Sequence, residues 1–206
     1  MNNSWNRVIY KIGSRIYDKI FNSGIFLRAR KHVFESITFN NKDKILFVGI
    51  GTGADLKLIK HSNLDITAID LSPDMLKKAK EKYGNSSIKF MEMDAQQLDF
   101  NDGSYDYIVG SLILSVVPEA DKCLQEMTRV LKPEGKIIIF DKFISKNEKL
   151  SLLKKLLRPL IQVLGTDIGL RFEDLFREHE KRLKVEEDQP IMWNGMYRKI
   201  ILNKRG

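Results

Sequence analysis

Three glycines at alternate positions, Gly49, Gly51 and Gly53, lie in Val48-Gly49-Ile50-Gly51-Thr52-Gly53, directly after the apolar run Lys44-Ile45-Leu46-Phe47-Val48. Glycine allows a tight turn and lets backbone amides come close to a ligand. By itself such a loop is equally well read as a plain turn. Dinucleotide folds use G-x-G-x-x-G. Here the spacing is G-x-G-x-G with Ala54 behind it, and a small residue can stand for the last glycine of that pattern. A Walker-type phosphate loop is disfavoured, because no Gly-Lys-Ser/Thr follows. Two carboxylates keep step with the loop. Asp70 ends the run Asp65-Ile66-Thr67-Ala68-Ile69, 17 residues after Gly53. A carboxylate at a strand's C-terminal end faces the ligand crevice and can accept both hydroxyls of a ribose. Its competing role is to cap the next helix, for which Ser72 is better placed. Asp94, backed by Ala95, follows the run Ile88–Met93. Its carboxylate can accept from an exocyclic adenine amine while the Ala95 N–H donates to a ring nitrogen; the competing role is a turn aspartate. With the loop and both carboxylates in register, three strand ends converge on one nucleoside.

The elements that must hold these groups alternate in period. Short strands are expected at 44–48, 65–69, 88–93, 105–109 and 136–140, with helices at 54–61, 74–83 and 121–131 between them. Ser72-Pro73 supplies an N-cap and a first-turn proline for the second helix. Strands alternating with helices imply a mostly parallel sheet covered on both faces. Segments 182–187 and 196–202 read as a terminal strand pair, and stretches 4–21 and 147–164 as helices outside the alternating core. One domain is expected over 1–206. It comprises an N-terminal helical cap (1–40), a cofactor-binding core (41–145), and C-terminal helices with the last two strands (146–206).

These motifs resemble those of class I S-adenosylmethionine-dependent methyltransferases. The resemblance rests on residues 47–53, on Ala68-Ile69-Asp70-Leu71-Ser72-Pro73-Asp74-Met75-Leu76, on Met93-Asp94-Ala95, and on Met127-Thr128-Arg129-Val130-Leu131-Lys132-Pro133-Glu134-Gly135. It covers roughly residues 40–145. It implies a Rossmann-like α/β fold with a seven-stranded, mostly parallel sheet, helices on both faces and an antiparallel last strand, and S-adenosyl-L-methionine as cofactor. By that resemblance Gly49, Gly51 and Gly53 pass beneath the methionine part of the cofactor, and Asp70 holds the ribose. Leu71 packs on the adenine, whose edge Asp94 and Ala95 read. Ser111 and Leu112 lie beside the methionine moiety and the methyl-transfer site. One position departs: the family usually carries Glu or Asp where this chain has Phe47, which puts the contact to the cofactor's amino group in doubt.

Methyl transfer from a sulfonium asks little acid–base help, so substrate choice lives in the flanks. Gly110-Ser111-Leu112-Ile113-Leu114-Ser115-Val116-Val117-Pro118 lacks the Asn/Asp-Pro-Pro-Tyr/Phe pattern of base-modifying amino methyltransferases, and no nucleic-acid partner is expected. The net charge of +8 is uneven: residues 1–44 carry 9 Lys/Arg against 3 Asp/Glu, 45–141 carry 11 against 15, and 142–206 carry 15 against 9. Basic flanks suit an anionic surface, and equally simple solubility. Trp5, Val8, Ile9, Ile12, Ile16 and Ile20 recur at helical spacing beside a basic stripe of Arg7, Lys11, Arg15 and Lys19. That pattern fits an interfacial membrane helix, or a helix packed on the sheet.

Tyr17-Asp18, residues 114–118 and the leucine-rich basic stretch ending Arg158-Pro159-Leu160 resemble the soluble-type bacterial phospholipid N-methyltransferases, which methylate phosphatidylethanolamine. That likeness would place Tyr17 near the cofactor and the amine, with Ser111 as a second candidate beside the acceptor. Quinone-type methyltransferases share the core motifs and form the alternative. A non-catalytic cofactor-binding module, hinted at by Phe47, and a nucleic-acid-binding protein are the readings from other classes. One cysteine and three scattered histidines predict no disulfide and no metal. No apolar run reaches the roughly 20 residues that span a bilayer. The expected location is cytoplasmic, peripheral on the inner face of the membrane if the amphipathic helix docks there.

Overall fold

The computed structural model describes residues 24–144 and 169–206. The stretches read as helices at 4–21 and 147–164, with Trp5 and Tyr17, lie outside the described residues. The elements are α1 (Gly24–Glu35), β1 (Lys44–Val48), β2 (Asp65–Asp70), α2 (Pro73–Tyr83), β3 (Lys89–Glu92), β4 (Tyr105–Ser111), α3 (Ala120–Val130), β5 (Leu131–Lys142), α4 (Phe172–Arg177), β6 (Leu183–Met192) and β7 (Tyr197–Lys204). The seven strands form one sheet in the order β3-β2-β1-β4-β5-β7-β6. β1 to β5 pair in parallel, and β7 runs antiparallel to both β5 and β6. This is the Rossmann-like α/β architecture expected from the motifs, antiparallel last strand included.

Alternation along the strands sends side chains to two apolar clusters, one on each face. Leu46 and Val48 of β1 join Ile137 and Ile139 of β5, Leu124 and Met127 of α3, and Phe172 and Leu175 of α4. Ile45 and Phe47 face the other way, with Phe26 and Val33 of α1, Leu76 of α2, and Ile138 and Phe140 of β5. A sheet buried on both sides reads as near-continuous apolar strands, and four of the five β1 residues are buried.

The strand order turns back between β1 and β4, where Val48 pairs with Gly110. At such a switch point the connections leave in opposite directions, so the carboxyl ends of the two strands open a crevice.

Two elements differ from the sequence reading. Residues 54–61, expected as a helix, hold only a 3-10 turn at Leu56–Leu58. Asp55 precedes that turn without capping it; its carboxylate pairs with Arg30 of α1 instead. The second difference is one of detail: α1 falls within the helical cap expected over 1–40 but outside the stretch 4–21 singled out there, and its Phe26, Ala29, Arg30, Val33 and Phe34 are buried at helical spacing.

Ser72 caps α2 as anticipated, its Oγ accepting from the Met75 N–H at 3.3 Å. Replacing Ser72 with Ala should cost about 1 kcal/mol, read as a lower denaturation midpoint in guanidinium at unchanged slope.

Candidate active site

The carboxyl edge of the sheet gathers the residues singled out by spacing. Asp70 ties three strand tips together. Its Oδ2 accepts from the Gly51 N–H at 2.7 Å and its Oδ1 from the Ser72 N–H at 2.9 Å. Its carbonyl accepts from the Met93 N–H at the tip of β3, at 3.1 Å. Ile50 N–H donates to the Ile69 carbonyl at 2.9 Å, so the glycine loop is stitched to β2 by main chain and side chain together. From α2, Lys82 Nζ reaches the Thr52 carbonyl at 3.0 Å and holds the far side of the loop.

The three glycines have different reasons to be glycine. All have positive φ: 69° at Gly49, 56° at Gly51 and 81° at Gly53. A Cβ on Gly49 would come within 2.6 Å of Ile113 Cδ1, and one on Gly53 within 2.9 Å of the Tyr83 ring. Those two positions let the β4 loop and α2 pack closely. A Cβ on Gly51 would meet nothing within 4 Å, so only there does the loop face open space.

Asp94 accepts from the Gln96 N–H at 2.9 Å and from the Gln96 side-chain amide at 3.0 Å. The same glutamine accepts from the Glu119 N–H at 2.8 Å, at the start of α3. Gln96, absent from the sequence reading, thus fixes the Asp94 carboxylate against the helix following β4. Ala95 is buried beside it, and Leu71 is half-buried after β2.

Ser111 and Leu112 close the site from β4, both buried. Leu112 has φ 56°, a left-handed conformation that costs a leucine free energy. Its N–H donates to the Phe140 carbonyl at 2.7 Å, which keeps the kink joined to β5. The next tip residue, Asp141, is fully buried. It accepts from the Ser115 N–H at 3.3 Å and the Lys142 N–H at 2.8 Å, and from the Ser115 hydroxyl. Burial pushes its carboxyl above the ordinary range despite those donors. Asp141 was missed as well; its only signal in the sequence was a lone acid at the end of an apolar strand.

Phe47 is 1% exposed within the α1-facing cluster. A carboxylate there would sit among Phe26, Ile50 and Leu112, so the departure from the family pattern is built into the packing. Cys123 is buried, and burial beside Asp141 raises its thiol pKa, which leaves it an unreactive core residue. Tyr17 lies outside the described residues.

Burial raises the Asp70 carboxyl to about 6, against the pull of its two backbone donors. Unfolded, the group titrates near the ordinary 3.8. Between those values the folded chain binds the extra proton, so this group's contribution to stability falls as pH rises from 3.8 to about 6. Asp70→Asn should remove that slope. The difference in melting temperature between wild type and variant, followed from pH 4 to 7, measures it.

A methyltransferase-domain family model matches residues 46–139. The phosphatidylethanolamine N-methyltransferase of Cereibacter sphaeroides is 31% identical over 166 residues, which covers 79% of this chain and 80% of that protein. The demethylmenaquinone methyltransferase of Renibacterium salmoninarum is 33% identical over 124 residues, 60% of this chain and 52% of its own length. Among solved structures, a chain from the complex between the Haloferax volcanii Trm112 methyltransferase activator and a methyltransferase superposes with a TM-score of 0.75 at 15% identity, over the whole of both chains. That likeness is one of fold.

Proposed function

Since the chain belongs to the S-adenosylmethionine-dependent methyltransferases, we propose that it N-methylates an amino lipid of the phosphatidylethanolamine type at a membrane surface. The observation that carries this reading is the extent of the likeness to the Cereibacter protein. It covers 79% of the chain, far more than the core at 46–139 that the family model matches. Basic flanks suit a substrate embedded in an anionic leaflet. Among the described residues no helix is long and apolar enough to cross a membrane.

The residues fit the family's cofactor. The Gly51 turn is open on the side where a Cβ would meet nothing. A carboxylate with two N–H donors engaged keeps lone pairs for two hydroxyls, as Asp70 does. When bound, S-adenosylmethionine supplies an electrophilic methyl group on a sulfonium. Asp70 would hold the ribose, the Gly49–Gly53 turn would lie under the methionine portion, and Asp94 with Ala95 would read the adenine edge above Leu71. Ser111 and Leu112 would border the transfer site. Tyr17, with Ser111, is the proposed neighbour of the acceptor nitrogen. The chain's part is alignment and exclusion of water. Only the neutral amine has a lone pair to attack the methyl group, so its proton is lost to water before transfer; the nitrogen takes the methyl and the positive charge as the carbon–sulfur bond breaks.

The relative named for demethylmenaquinone supports a second acceptor class, a quinone-type ring. The two readings separate in one assay. Purified protein with methyl-labelled cofactor should label phosphatidylethanolamine in anionic vesicles and leave a demethylated quinone unlabelled. Label on the quinone alone would overturn the lipid assignment and keep the enzyme class.

Asp70→Ala should weaken cofactor binding more than about tenfold, since two hydroxyls lose a charged acceptor. In the wild type, affinity should also fall as pH drops below about 6, because protonation turns the carboxylate into a poorer acceptor. Titration calorimetry at several pH values checks both; equal dissociation constants for wild type and variant would overturn the ribose role.

A further inference from the structure

The β6–β7 turn carries a second surface at the ligand edge. β7 runs antiparallel to β5, with Lys142 opposite Tyr197, so residues 193–196 emerge at the same end of the sheet as Ser111 and the glycine loop. The Phe143 N–H donates to the Met196 carbonyl at 2.7 Å and fixes that turn to the end of β5. Trp193 stands there 53% exposed, and Ile25, in the first turn of α1, is 42% exposed. Phe26 joins the two elements, its ring 5.6 Å from the Trp193 ring and 5.4 Å from Tyr197, both edge-on.

The exposure of Trp193 is imposed by the backbone. Trp193 and Asn194 both have φ 52°, and Gly195 has φ 83°. A bulky residue in the left-handed region is strained, and the chain accepts that strain while leaving half the indole in water. Tyr197, 5.2 Å away and edge-on, holds the ring in place. A fixed, half-exposed indole suits a boundary between water and hydrocarbon. The charges around it favour an anionic boundary. Arg28, one turn beyond Ile25, and Lys31 are exposed on α1. On the strand side, Asp188 is paired with Arg198 and Glu187 with Lys199, so these acids do not oppose an anionic surface. His32 and Glu35 pair at the far end of α1.

We infer that Trp193 and Ile25 form a rim that seats on an anionic lipid bilayer and turns the carboxyl edge of the sheet toward it. The choice of partner rests on the amino-lipid reading above; the rim itself rests on exposure, backbone conformation and charge.

The chain has two tryptophans, Trp5 and Trp193, so Trp5→Phe leaves one reporter. Added to vesicles of phosphatidylglycerol with brominated acyl chains, this full-length variant should show a blue shift and quenching of Trp193. Vesicles of phosphatidylcholine alone should give neither. Ile25→Ser and Trp193→Ala, made separately, should each lower co-sedimentation with the anionic vesicles severalfold while cofactor affinity stays unchanged. Ile25 is the control should Trp193→Ala loosen the turn. Protein that pellets with vesicles while Trp193 emission stays unaltered docks elsewhere, and the rim is overturned; so is it by an Ile25→Ser variant that pellets like wild type with Trp193 unquenched. Docking through Trp193 without methylation of phosphatidylethanolamine would keep the rim and remove the amino-lipid reading. Methylation in detergent micelles with no vesicle docking would do the reverse.

Discussion

The site depends on one carboxylate placed between two strands. Asp70 accepts from Gly51 on one side and Ser72 on the other, while its carbonyl takes the Met93 N–H. The glycine turn, the start of α2 and the tip of β3 are thereby fixed relative to one another by a single residue. Without that crosspiece the loop would keep the Ile50–Ile69 main-chain bond to β2 but lose the side-chain tie between Gly51 and the start of α2. The same burial that makes Asp70 a rigid tie raises its pKa, so its structural and chemical duties are coupled.

On the other side of the switch point, β4 and β5 meet the crevice with a kink. Leu112 adopts a conformation that leucine avoids, and Asp141 is a carboxylate with no access to water. Each is held by main-chain partners from the neighbouring segment: Phe140 for Leu112, Ser115 and Lys142 for Asp141. Strain and a buried charge close to the expected transfer site persist only where surrounding contacts over-determine them. Those contacts fix the β4 loop against β5, which suits a catalyst working by alignment.

Much of this was legible in the sequence because it follows from period and position. Apolar runs of four to six residues, each ending in a glycine or an aspartate, predicted the strands, and their tips predicted which polar residues would share an edge. Gly51, Asp70 and Asp94 were singled out in this way, and the structure sets them at one edge of the sheet. Gln96, Asp141 and Arg30 were not singled out. Gln96 reaches Glu119 across 23 residues, Arg30 reaches Asp55 across 25 and Asp141 reaches Ser115 across 26, and a long-range hydrogen bond leaves no local pattern. The helix expected at 54–61 failed for the same reason, since Asp55 turns toward Arg30 and leaves the cap unmade. Phe47 was read as a missing acid. Packing adds that the position is buried in the apolar cluster that α1 also joins.

The pair formed by Arg30 and Asp55 ties the helix before the sheet to the segment after the glycine loop. Both side chains are about 5% exposed, and the guanidinium also lies 6.0 Å from the centre of the Phe140 ring. Taking one member from a buried pair strands the other's charge in apolar surroundings, which costs about 3–5 kcal/mol. Helix α1 and the segment after the glycine turn are therefore coupled in energy, and denaturant that peels the helix away should leave a lone carboxylate two residues beyond Gly53. The endurance of the carboxyl-edge crevice is thus tied to a helix that precedes the sheet in the chain and shares one apolar cluster with Ile50 and Leu56.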